Sequence, residues 1–201
     1  VVAAAFVFSR TVAEDGLRGD LACLTDSKKL TEMQRDTFYA LLTTRTGLAF
    51  GVGVASVEEI DRFNILQATY MAMRRAVIAL PALPEHILVD GRPVPGLPAP
   101  ATAIVGGDGL SLSIAAASVI AKVTRDRLML ELDQRHPQYG FARHKGYGTA
   151  RHLQAMLEFG PLPEHRRSFR PVREAQAIRR RQGHPDASAP VTVPLALRLE
   201  A

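Results

Sequence analysis

The sequence predicts an α/β domain with a layered sheet. Short apolar runs alternate with longer segments of helical periodicity, and two of those segments open on capping boxes. A length of 201 residues, 47% hydrophobic and 22% charged, allows one domain with a substantial core and argues against wholesale disorder.

Val1 to Phe8, "VVAAAFVF", is apolar without interruption, as expected of a strand covered on both faces. A loop rich in Gly, Asp and Glu follows. "TEMQ", Thr31 to Gln34, has the form of a capping box and predicts a helix to about Thr43. Ala49 to Ala55 reads as a strand containing two glycines. "SVEE", Ser56 to Glu59, is a second capping box. In the helix it opens, Leu66, Tyr70, Met73, Val77 and Leu80 form one apolar stripe and are expected in the core. "HILVDG", His86 to Gly91, is a short apolar strand ending on an acid and a glycine. A proline-rich stretch, a strand "ATAIV" and a turn "GGDG" come next. Ile114 to about Arg135 reads as a helix whose first half, "IAAASVIA", is apolar nearly all round and so buried. Pro137 ends it near His136. A short helix from Ala150 to Phe159 stops at Gly160, with Pro161 behind it. Beyond about Gly183, Pro, Ala and Ser predominate and the chain is expected to fray.

A single cysteine, Cys23, excludes an intramolecular disulfide framework and a cysteine-rich zinc site. That fits a cytoplasmic location. No apolar run reaches the roughly 18 residues of a membrane span, and the opening run lacks the basic leader of a signal peptide. The chain opens on Val1 rather than methionine, and a fragment of a longer protein is expected. The net charge of +5 is unevenly spread. Residues 1–142 hold 14 Lys/Arg against 15 Asp/Glu, whereas Arg143 to Arg181 hold ten against three. A basic second half suits either a polyanionic partner or a solvated helix face.

Asp90, at a strand end, and Asp108, in a glycine-flanked turn, lie where open α/β sheets place ligands. Two carboxylates there suit a hard cation such as Mg²⁺ or Mn²⁺, although Asp-Gly pairs also simply make turns. "DSKKL", Asp26 to Leu30, reads as a phosphate contact or a polar lead-in to a helix. "HRRSF", His165 to Phe169, reads as a backbone contact or a surface cover. Asp126 is flanked by Arg125 and Arg127 and is expected to pair with a cation. "RHKGYGTARH", residues 143–152, places His144, Lys145 and Tyr147 on what reads as a pliant loop. No histidine pair has metalloprotease spacing, and there is no Walker phosphate loop.

Taken in order, "DSKKL", "EEIDRFNILQAT", "AMRRAV", "LVDG", "SIAAASVIAKVTRDRLM", "YGFARHKGYGT" and "HRRSF" followed by "PV" resemble the bacterial ribonuclease HII family, from Val1 to about Val172. The resemblance implies a ribonuclease H-like fold, a mixed central sheet flanked by helices, without its first strand. Residues 1–172 would form the catalytic domain, and residues 173–201 the end of a helix and a tail. It further implies an endonuclease that cuts the RNA strand of RNA–DNA hybrids, and ribonucleotides embedded in duplex DNA, with two Mn²⁺ or Mg²⁺ ions. A monomer is expected, with no membrane partner. Of the family's four carboxylates, two carry over as Asp90 and Asp108; Asp126 is not among them. Lys28 or Lys29 would meet phosphate, Lys145 would add cationic attraction, and Tyr147 would lie against the sugar at the RNA-to-DNA junction.

Two departures stand out. The family's Asp-Glu pair and the Gly-Arg-Gly after it belong upstream of Val1, and Glu14-Asp15, expected in a loop, cannot replace them. Gly106 stands where the family usually has lysine. The alternative reading is a truncated remnant that binds hybrids without cutting them.

Overall fold

The computed structural model describes residues 1–16 and 19–183; the segment expected to fray lies outside them. Strand β1 (Val2–Phe8) pairs antiparallel with β2 (Leu48–Val54), Val2 opposite Val54 and Phe8 opposite Leu48. Strand β3 (Ile87–Asp90) pairs in parallel with β4 (Ala101–Ile104). The chain is α/β as expected. The mixed sheet is present as two separate two-stranded ladders, one antiparallel and one parallel.

Helices α1 (Arg10–Gly16) and α2 (Glu32–Thr44) lie between β1 and β2 in sequence. Helix α1 stands where a loop is expected and includes Glu14-Asp15; an Arg10–Glu14 pair one turn apart supports it. Both capping boxes form. The Gln34 amide donates to Thr31 Oγ1 at 3.2 Å and the Thr31 amide to Gln34 Oε1 at 2.9 Å. Ser56 and Glu59 repeat this exchange at 3.2 and 2.8 Å at the start of α3 (Val57–Ile78).

Helix α3 corrects the expected stripe. Asn64 has φ 71° and ψ 166°, so the helix breaks there, and the Asn64 side chain caps the second segment by accepting from Leu66 and Gln67. In a straight helix, residues 16 apart are separated by about 24 Å. Here Arg75 and Glu59 form an ion pair at 2.5 Å, which the corner at Asn64 permits. Beyond the corner the expected stripe holds in part: Val77 and Leu80 are buried, Tyr70 and Met73 half-buried and Leu66 exposed, while Ala68, Ala72 and Ala76 are fully buried. These alanines let α3 lie directly on the antiparallel ladder. A Cβ on Gly51 would strike the Ala76 carbonyl, and one on Gly53 the Ala72 carbonyl. That contact explains the two glycines in β2.

The opposite face of β1 carries α4 (Leu112–Arg135), with Phe6, Phe38, Leu42, Val119, Ile120 and Val123 interlocked. Each such side chain, fully buried, contributes about 1.5–3 kcal/mol. Helix α4 ends at His136 ahead of Pro137, as expected. Its last turns enter a second core with α6 (Ala150–Phe159) and α7 (Arg170–Arg181), built on Leu132, Tyr139, Met156 and Val172. A one-turn helix, α5 (Phe141–His144), links them.

Gly53→Ala, which drives a methyl group into helix backbone, should lower unfolding free energy by at least about 1–3 kcal/mol in urea denaturation. An exposed change such as Met33→Ala should stay within about 0.5 kcal/mol. Equal effects would contradict the packing described.

Candidate active site

Asp90 is the last residue of β3, and the chain turns away at Gly91, where φ is 85°. A 3-10 turn, Gly107–Gly109, brings the next acid alongside. The Gly107 amide donates to Asp90 Oδ1 at 2.9 Å, tying the two acidic segments together. Gly107 packs closely on Ile114 and Ile104: a Cβ there would stand 2.6 Å from Ile114 Cδ1, so the end of that side chain would have to shift. Burial, and then the charges of Asp90 and Asp26, push the Asp108 carboxyl above its ordinary value, while Lys28 opposes them. The "DSKKL" segment therefore meets the two predicted acids. Asp26 joins them, which its place in a lysine-rich motif did not suggest. Ser27 anchors the segment by donating its amide to Ser118 Oγ on α4 at 3.4 Å. Arg35 binds the Ser27 and Leu30 carbonyls at 3.1 and 2.6 Å. Lys28 and Lys29 are both exposed, and of the two only Lys28 acts on Asp108.

Oxygen donors of like charge held together suit a hard divalent cation, which would relieve their repulsion. The number of donors falls short: among the described residues no group of three or more His, Cys, Asp or Glu is arranged to hold a metal ion. Asp90 and Asp108 account for two of the four carboxylates that the resemblance implies. Gly106, in place of a lysine, has φ 68°, a conformation that a side chain there would strain.

Beside Asp90 runs a cleft of about 660 Å³. Every consecutive residue from Val2 to Phe8 lines one side, and every residue from His86 to Asp90 another. A strand face presents alternate residues; an unbroken run marks an edge. The cleft is thus bounded by the free edges of β1 and β3, with α4 on one side and Met73 and Val77 of α3 on the other. Neither strand is as fully covered as expected, Val7 being 37% and Leu88 42% exposed.

The 143–152 segment is pinned rather than pliant. His144 is buried, not displayed. Arg125 on α4 donates to the Lys145 carbonyl at 2.7 Å, and its guanidinium stands 5.1 Å from the Tyr147 ring centroid. Lys145 takes a left-handed conformation, φ 48°, and Tyr147 is 63% exposed. Beneath the loop lie three buried histidines. His144 and His152 stack at 4.3 Å, and His152 Nε2 lies 2.9 Å from His165 Nε2. Burial, then the neighbouring His152, lowers His165 to about 4; burial first also lowers His152. Asp126 pairs with Lys122 at 2.9 Å and with Arg125 at 3.6 Å, as expected. "HRRSF" docks on α3, where Asp61 accepts from the Arg167 and Ser168 amides at 2.8 and 2.9 Å.

A family model described as Ribonuclease HII matches residues 1–172. The Ribonuclease HII of Shewanella amazonensis is 59% identical over 154 residues, 77% of this chain and 74% of that protein. That of Paraburkholderia xenovorans is 52% identical over 175 residues, 87% of this chain and 68% of that protein. In structure, the chain is similar to the ribonuclease H2 of Pyrococcus horikoshii OT3, with a TM-score of 0.70 and 22% identity over 90% of this chain and 99% of that one. The RNase HII of Archaeoglobus fulgidus, solved in complex with PCNA, gives a TM-score of 0.58 and 22% identity over 82% and 83% of the two chains.

The lowered histidines set a pH dependence. Below pH 6.5 the unfolded chain takes up protons that the folded His165 refuses, so stability falls from about pH 6.5 down to about 4. Urea midpoints for the wild type should decline through that window, and His165→Phe should flatten the decline. An unchanged slope in the variant would contradict this account of the cluster.

Proposed function

The chain belongs to the ribonuclease HII family, and from that premise we propose a divalent-metal-dependent endonuclease that hydrolyses the RNA strand of RNA–DNA hybrids and cuts at ribonucleotides embedded in duplex DNA. Family membership makes it a ribonuclease H-type nuclease. The observation that carries the finer reading is the meeting of Asp90 and Asp108 at the end of β3, with Lys28 beside them.

Two Mn²⁺ or Mg²⁺ ions supply an activated water and neutralise the leaving oxygen in chemistry of this kind. Asp90, fixed by the Gly107 amide, and Asp108 would hold them. Lys28 draws a backbone phosphate toward the carboxylates, and Lys145 adds attraction further along the duplex. Tyr147 offers a flat face to a sugar, and RNA is told from DNA at the 2′-hydroxyl. A strand carrying the family's Asp-Glu pair, seated in the cleft between β1 and β3, would set its acids beside Asp90. For the 201 residues alone, the short ligand count favours the second reading, a chain that binds hybrids without cutting them. A cytoplasmic location and a monomeric state complete the proposal; among the described residues no helix is long and apolar enough to cross a membrane.

The assay is cleavage of an RNA–DNA hybrid in Mn²⁺ or Mg²⁺. The 201 residues alone should show no turnover, and the same chain joined to an upstream acidic strand should cleave. Robust cutting by the 201 residues, free of contaminating nuclease, would overturn the half-site. In the active form, Asp90→Asn and Asp108→Asn should each cost at least about a hundredfold in kcat, whereas Asp126→Asn should lower Tm more than rate. The reverse order for Asp108 and Asp126 would show the fourth ligand to be misassigned.

Lys145→Ala should weaken binding to any duplex and reduce the salt slope by about one. Tyr147→Ala should lower cleavage at an embedded ribonucleotide while sparing metal affinity. Wild-type cleavage by Tyr147→Ala would remove that residue from the site.

A further inference from the structure

Resting on the reading of Tyr147 as a substrate contact, we propose that His152 is a positioning residue for Tyr147 and that His165 fixes the tautomer in which it does so. The hydrogen bonds run in one direction. The Leu162 amide donates to His165 Nδ1 at 2.9 Å, so that nitrogen is an acceptor and the ring proton sits on Nε2. His165 Nε2 lies 2.9 Å from His152 Nε2, and it is the donor. His152 Nε2 therefore accepts, which places its proton on Nδ1, 3.0 Å from the Tyr147 carbonyl oxygen. His144 is set in the same manner. Its Nδ1 accepts from the Gly146 amide at 3.1 Å, leaving Nε2 to donate to the Tyr139 carbonyl at 2.8 Å.

All six ring nitrogens have a hydrogen-bond partner. His144 stacks on His152 with planes 15° apart and prevents it from swinging away. The Tyr147 carbonyl also accepts from the Thr149 amide at 2.8 Å, and the Tyr147 amide donates to the His144 carbonyl at 2.8 Å. The backbone on both sides of the exposed ring is thus held from below, while Arg125 holds the ring from the side. A loop with glycines at 146 and 148 would otherwise sample many conformations. The relay converts it into a mount for one aromatic ring, and it gives the second basic motif, at His165, a purpose beyond covering the surface.

The test uses the catalytically active protein, the chain with its acidic strand, acting on a duplex with one embedded ribonucleotide and on an uninterrupted RNA–DNA hybrid. His152→Phe keeps the ring shape and loses the donor. It should lower kcat/KM for the single ribonucleotide by about five- to tenfold, and for the hybrid by less. His152→Asn, whose amide nitrogen can take the place of Nδ1, should recover to within about twofold. In a Tyr147→Ala background, His152→Phe should have no further effect. Imidazole ¹⁵N shifts of the unmutated protein should show the Nδ1–H tautomer for His152 and the Nε2–H tautomer for His165, which keeps the test open should a variant fail to fold. The opposite tautomers, equal losses in His152→Phe and His152→Asn, or a His152→Phe effect that persists without Tyr147 would overturn the inference. Normal selectivity in Tyr147→Ala would instead remove the reading on which it rests.

Discussion

The burial of helix α4 against β1 and α2 is the interaction on which the rest of the molecule depends. Its first turns are apolar on nearly every side, and Ala115, Ala116, Val119 and Ile120 are almost wholly removed from water. Once that helix is fixed, three separate parts of the site are fixed with it. The turn bearing Asp108 leads directly into it, Ser118 on its flank receives the "DSKKL" segment, and Arg125 grips the Lys145–Tyr147 loop. Arg125 lies 13 positions beyond Leu112, about 20 Å along a helix axis. The turn of Asp108 and the loop of Tyr147 are therefore positioned by one rigid element, which suits the proposed contact with a duplex.

Burial first, and then the nearby charges of Asp90 and Asp26, raise the Asp108 carboxyl. Elsewhere the acids are neutralised locally: Asp126 by Lys122 and Arg125, Glu59 by Arg75, Asp61 by backbone amides. The contrast sets these paired acids apart from Asp90 and Asp108, the acids of the proposed site. Asp126 had only its arginine neighbours to mark it in the sequence, and they marked it correctly.

Much of the fold was legible because local rules sufficed. Thr31 and Ser56 announced their helices by cap chemistry, and Pro137 and Gly160 ended theirs. The glycines of β2 were visible, but their cause, helix backbone lying on the strand, is a tertiary contact that no window of sequence displays. The stripe of α3 was legible in part: Val77 and Leu80 are buried, but Ala68, Ala72 and Ala76, too small to mark a stripe of large side chains, make much of the packed face, and Leu66 lies outside it. Nothing in the local pattern announced the corner at Asn64. The structure brings together Asp90 and Asp108, which their places at a strand end and in a glycine-flanked turn had singled out. Asp26 and the linked histidines were not legible, since His144, His152 and His165 are gathered by folding and carry no motif spacing. The cleft between β1 and β3 is visible only in three dimensions.

The central claim is that Asp90 and Asp108 are half of a metal site completed by a strand in that cleft. Anomalous diffraction from Mn²⁺-soaked crystals of the active protein tests it most directly. The account predicts manganese bound between Asp90 and Asp108, and an acidic strand hydrogen-bonded to both β1 and β3. Manganese elsewhere, or a cleft left empty while the protein is active, would contradict it.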